Sequence, residues 1–220
     1  MSAEQDRSRP LRRDAERNRQ RILDATRKLV AERGLGVSHD DIARAAEVGV
    51  GTVYRHFPDK QELLGLLFDE RLDETVALAE AAGRFDDPWE GLYAFVAGNL
   101  ELQAGDQGLK ELMLGTGRAS DLARRAQQRI GPAVGQLVAR AKAAGCLREE
   151  VGVEDFPLIQ IMVGAVMEDA RDADPRLWRR ALALVLDGYR AGPHAERLPG
   201  NTPTRGQIEQ ILSHWRPPRR

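Results

Sequence analysis

Between Gly34 and Pro58 the chain has room for only two helices of about seven residues each, and this stretch constrains the fold more than any other. Isolated helices below roughly 12 residues are marginal in water, so these two must share a core with a longer neighbour. Ser38-His39-Asp40-Asp41 has the form of a capping box, in which the serine oxygen takes an exposed amide and the acid three residues on answers it. It opens a short helix ending near Ala46, and a turn leads to a second over residues 50–57. Ile42, Ala43, Ala46, Val48, Val53 and Phe57 supply an apolar side, which Ile22, Ala25 and Leu29 of a preceding helix over 14–33 would cover. Gly34 ends that preceding helix. Val50, Gly51, Thr52, Tyr54, Arg55 and His56 are then left outside. That face has hydroxyls, a glycine that bares the backbone, two basic groups and no acid. A helix-turn-helix puts its second helix in the major groove, with its first residues at base edges and nearby hydroxyls and cations on phosphates. Taken singly, Tyr54 reads as a half-buried aromatic, Lys60 as a solvated cation, and His39 and His56 as idle surface groups. The combination points to DNA.

The rest of the chain reads as helix. Aromatic residues make up only 5% of the chain, and no strand-length alternation of polar and apolar residues occurs. Ala, Leu, Arg and Glu, all strong helix formers, fill long stretches. Asp59 caps a helix over 59–82, some 36 Å long and able to connect two domains. Asp87-Pro88, Asp174-Pro175 and Thr202-Pro203 each open a further helix, since proline is tolerated in a first turn whose amides have no partner. Others are predicted near 107–114, 119–144 and 154–171. The expectation is an all-α chain of nine or ten helices. It divides into a flexible basic arm over 1–13, a DNA-binding domain over 14–65, a ligand-binding and dimerisation domain over 66–192, and a linker with a short helix over 193–220.

Charge alone decides little. Net charge is −1, yet residues 1–28 hold nine Lys/Arg against five Asp/Glu, a surplus of four at one end. A solvated arm explains that as well as a polyanion does. No apolar run reaches the roughly 18 residues of a membrane span, and the first residues have no apolar signal core. With Cys146 as the one cysteine, the chain fits a reducing cytoplasm.

Residues 41–60 follow the pattern Asp-Ile-Ala-x-x-Ala-x-Val-x-x-Gly-Thr-Val-Tyr-x-His-Phe-x-x-Lys, and here the chain resembles the TetR family of transcriptional regulators. The resemblance covers about residues 14–65. It implies a three-helix, homeodomain-like helix-turn-helix, with Thr52 and Tyr54 at phosphates or base edges, His56 and Lys60 at phosphates, and Val50 and Gly51 approaching the bases. Ser38 and Arg55 complete the candidate DNA surface. Glu47 stands where the family usually has glycine, and Gly49 where it usually has a serine or threonine cap.

Downstream, the helix over 154–171 is apolar nearly all round, and the next carries two apolar stripes. One stripe is Leu177, Ala181 and Leu184, and the other is Trp178, Leu182, Val185 and Tyr189. Phe156, Ile159 and Val163 with the second stripe are the candidate dimer interface, a four-helix arrangement that the resemblance also implies. Phe95, Leu112, Met113, Met162 and Met167 are the candidate lining of a site for a largely apolar effector. Glu111, Glu168 and Asp169 could pair with a cation there. No enzyme, metal or cofactor is expected. The histidines at 39, 56, 194 and 214 lack ligand spacing, and Cys146 has no basic cluster nearby in sequence. The expected partners are double-stranded operator DNA, a second copy of the chain and a small molecule, with no membrane. The reading is a repressor that leaves a palindromic operator when it binds its ligand. An activator, a ligand-independent regulator and, further off, a helical enzyme are the alternatives.

Overall fold

The computed structural model describes residues 3–104, 120–193 and 196–214. Among them are nine α-helices, one short 3-10 helix and no strand beyond a single isolated bridge. They fall into two compact units, one up to residue 71 and one from residue 72.

The first unit holds α1 (Ala3–Arg33), α2 (His39–Ala46), α3 (Val50–His56) and the first half of α4 (Lys60–Ala82). Residues 3–13, expected as an arm, are helical. Their Ala, Glu, Gln and Arg residues favour helix, which outweighs the one hydrogen bond Pro10 cannot make. Ile22, Ile42, Val53, Phe57 and Leu63 are each at most 1% exposed and form the core that lets two short helices exist. Gly34 closes α1 at φ +76°, a conformation that suits glycine. The capping box is formed: the Asp41 amide donates to Ser38 Oγ at 3.2 Å, and the Ser38 amide donates to Asp41 Oδ2 at 3.1 Å. Hydrogen bonds from Ser38 hold the Asp41 carboxyl below its ordinary range. Arg27 ties α1 to α4, donating to Asp24 at 2.8 Å and to Glu70 at 2.7 Å.

The second unit holds the rest of α4, then α5 (Pro88–Ala104), α6 (Ser120–Ala143), the 3-10 turn Val153–Asp155, α7 (Phe156–Asp169), α8 (Leu177–Tyr189) and α9 (Arg205–His214). Asp87 accepts the Trp89 amide at 2.8 Å at the start of α5, whereas Asp174, expected to open a helix, accepts the Arg176 amide at 2.9 Å within a turn, and α8 begins only at Leu177 with Arg176 as its N-cap. Gly91 fits α5 under the end of α4, where a Cβ would lie 2.5 Å from the Ala82 carbonyl oxygen. The helix expected near 107–114, with Glu111, Leu112 and Met113, lies outside the described residues.

Most of the residues expected at a dimer interface lie buried within the single chain. Phe156, Ile159, Val163, Trp178 and Leu182 are all at most 6% exposed within this one chain, in a core shared with α5 and α6. Val185 and Tyr189 pack against that core too. The physical reason is that α8 carries two apolar stripes, and α5 and α7 cover the one with the larger side chains. The other stripe is left bare: Leu184 is 66% and Leu177 42% exposed, and Met162 of α7 is 47% exposed.

Candidate nucleic-acid interface

The turn between α2 and α3 is made by Glu47, the one non-glycine residue with positive φ among those described, at φ 52° and ψ 45°. This left-handed conformation explains why a glycine belongs there: a side chain in that region costs about 1–2 kcal/mol. Arg21 partly compensates by reaching the Glu47 carboxylate at 3.1 Å. Gly49 is the N-cap of α3 and offers no side-chain acceptor to the first turn. Neither departure unseats α3, because Val53 and Phe57 anchor it in the core.

The outer face of α3 is where the sequence placed it. Val50 and Tyr54 are 40% and 52% exposed, Gly51 and Arg55 are exposed, and Thr52 and His56 are half-buried. Ser38 is exposed one element earlier, with its hydroxyl engaged in the capping box. A Cβ on Gly51 would meet nothing within 4 Å. Glycine inside a helix costs roughly 0.5–1 kcal/mol against alanine, and here no packing within the chain requires it.

Two residues stand differently from the expectation. Lys60, expected at a phosphate, donates from Nζ to the Leu35 carbonyl at 3.2 Å and the Val37 carbonyl at 3.0 Å. It ties the α1–α2 loop to the start of α4, which leaves one of its three N–H groups for anything else. His39, read singly as idle, stacks on Tyr54 with ring centroids 4.3 Å apart and planes 19° apart. Its Nε2 lies 3.0 Å from the Phe57 carbonyl oxygen, which only accepts, so Nε2 carries the proton. His39 therefore braces the exposed Tyr54 ring against the end of α3. Only the eighteen-residue separation of His39 from Phe57 hid this in the sequence. Arg19 lies over the Phe57 ring at 5.5 Å.

In the second unit, Phe95 is buried in the core and Met162 is 47% exposed. Met167 lines a recess between α5 and α7.

Residues 22–67 match the bacterial regulatory proteins of the tetR family, and residues 87–191 match the C-terminal domain of SbtR-like transcriptional regulators. The crystal structure of a TetR transcription regulatory protein from Mycobacterium vanbaalenii is 33% identical, over 83% of this chain and 100% of its own, with a TM-score of 0.54. This chain belongs to the TetR family. A TetR-family regulator from Agrobacterium tumefaciens shares the fold with a TM-score of 0.64 at 20% identity, over 80% of this chain and 100% of that one. HTH-type transcriptional regulators of Staphylococcus aureus are 42% identical over 64 residues, 29% of this TetR-family chain. That match spans about a third of their own length, 35%. The family and these relatives are transcription regulators, not enzymes. Among the described residues, no helix is long and apolar enough to cross a membrane.

Proposed function

We propose that this TetR-family chain is a cytoplasmic repressor that binds a palindromic operator as a homodimer and leaves it when a small molecule binds the second unit. The observation that carries the reading is the exposed face of α3: Val50, Gly51, Thr52, Tyr54, Arg55 and His56, with no acid and a glycine that nothing in the chain requires. Hydroxyls and cations on such a face hold phosphates, while Val50 and Gly51 let the helix settle against base edges.

The exposed Leu177 and Leu184 on α8, with the half-buried Ala181 between them and Met162 on α7, support the dimer. An apolar helix pair of this kind self-associates about a two-fold axis. We place the interface on this stripe because the residues expected from the sequence are mostly buried within one chain. The continuous 23-residue α4 contributes to both units and is the candidate lever between ligand and DNA. A coupling of about 1–3 kcal/mol would weaken DNA binding some 5–150-fold, with operator weakening ligand binding by the same factor. SmeT, named as the repressor of a Stenotrophomonas maltophilia multidrug efflux pump, shares this fold at 24% identity, and a structure of SmeT is a complex with triclosan.

Unbiased selection from random duplexes, followed by a promoter fusion with and without the gene, tests the reading. The expected result is a two-fold symmetric site whose half-site centres lie about one helical turn or slightly more apart. Expression from a promoter carrying that site should rise when the gene is deleted. No enriched sequence would refute DNA readout, and expression that falls on deletion would make the protein an activator.

A further inference from the structure

α5 carries two buried amide side chains one turn apart, Asn99 at 4% and Gln103 at 7% exposure. Asn99 Oδ1 and Gln103 Nε2 have no hydrogen-bond partner among the described residues. A buried polar atom left without a partner costs free energy, and folded proteins keep few of them. Gln103 is aimed into the recess between α5 and α7, whose apolar walls come from Leu100 and Met167. A third amide, Gln160, lines it from α7. The two ionised groups on its rim, Glu168 and Arg171, pair with each other at 3.3 Å, so the recess offers no net charge to an ion. Its enclosed space is about 20 Å³, room for one water-sized group, and it widens to about 340 Å³ counted out to solvent. Gly164 forms part of the wall, and a Cβ there would meet nothing within 4 Å.

We infer that this recess takes the head of a neutral molecule that both donates and accepts hydrogen bonds, such as a carboxamide, urea or lactam, attached to a small apolar body. Gln103 and Gln160 line the recess, and whichever way their amides are turned, together they offer donors and acceptors. A head group with both functions satisfies them, a carboxylate satisfies only donors, and a hydrocarbon satisfies neither. The apolar body then covers Leu100 and Met167, and Met167 is deformable enough to make room. The inference rests on the reading of the protein as ligand-responsive and narrows the chemistry of the ligand.

Three probes of one shape separate the possibilities: benzamide, benzoate and toluene, each added to the full chain during thermal melting. Benzamide at about ten times its Kd should raise the melting temperature by about 3 °C. Benzoate and toluene should leave it within 1 °C, on the order of scatter in such a scale. Gln103→Leu should melt higher than the parent without ligand, because an unpaired amide is gone, and should lose the benzamide shift. Gly164→Leu fills open space and should also lose the shift with the fold intact, which guards against a Gln103→Leu variant that fails to fold. The inference is overturned if benzoate or toluene matches benzamide, if the shift survives in both variants, or if benzamide has no effect on the parent, in which case water satisfies the amides. Binding of the same samples to the two-fold symmetric duplex recovered by selection is scored alongside. DNA binding with a flat benzamide melt sinks only the ligand class, whereas absent DNA binding sinks the regulator reading itself.

Discussion

Gly51 and Glu47 both break local rules of helix chemistry, and they break them in opposite senses. Glu47 takes a left-handed backbone that favours glycine, and the strain stays inside the turn, partly offset by Arg21. Gly51 takes ordinary helical backbone that favours any other residue, over open space. Stability alone would place alanine at 51. Gly51→Ala should therefore stabilise the free protein by about 0.5–1 kcal/mol in denaturant unfolding while weakening its hold on the selected duplex. A variant both more stable and equally tight on DNA would mean that close approach to the bases does not explain the glycine. His39 adds a residue whose role lies in bracing rather than touching: its ring supports Tyr54 from 4.3 Å while its Nε2–H holds the Phe57 carbonyl.

Among the helices, the sequence makes plain whatever is decided within a few residues. Asp41 and Asp87 act as acceptors at the helix starts read from their spacing, and Gly34 and Gly145 end α1 and α6 at positive φ. The reading helix is equally clear, since its inward Val53 and Phe57 fix which side is left outside. The face of α8 is not, because both of its stripes are apolar and only packing against distant α5 chooses between them. The contacts of Lys60 and His39 escape the sequence for the same reason, as their partners lie 25 and 18 residues away. Tyr189, the last residue of α8, gives that burial a measurable sign. Burial, with Asp155 nearby, pushes its hydroxyl up to about 12, and that hydroxyl donates to the Asp155 carbonyl at 3.4 Å. The folded state holds this proton more tightly than the unfolded chain, whose tyrosines titrate near 10. Its contribution is complete below about pH 10 and lost as pH rises toward about 12. Urea unfolding across that window should show stability falling in the parent and a flatter alkaline limb in Tyr189→Phe.

For the whole molecule, a two-fold operator requires two copies of the chain, and the proposed interface face of α8 separates folding from assembly. Leu182 is fully buried within one chain, so Leu182→Glu should unfold it, costing several kcal/mol for a charge in the core. Leu184 is 66% exposed, so Leu184→Glu should leave each chain helical and folded while sedimentation shows monomers. Dimers in Leu184→Glu would send the interface to another surface.

The central claim is that the outer face of α3 grips DNA, and the affinity of parent, Tyr54→Ala and Arg55→Ala for the selected duplex, titrated across salt concentration, tests it most directly. Both variants should bind at least about tenfold more weakly, a loss of roughly 1.4 kcal/mol or more. Arg55→Ala should also flatten the dependence of log affinity on log salt by about one unit per subunit, because each lost cationic contact leaves counterions on a phosphate. Variants that fall on the parent's curve at every salt concentration would contradict the claim.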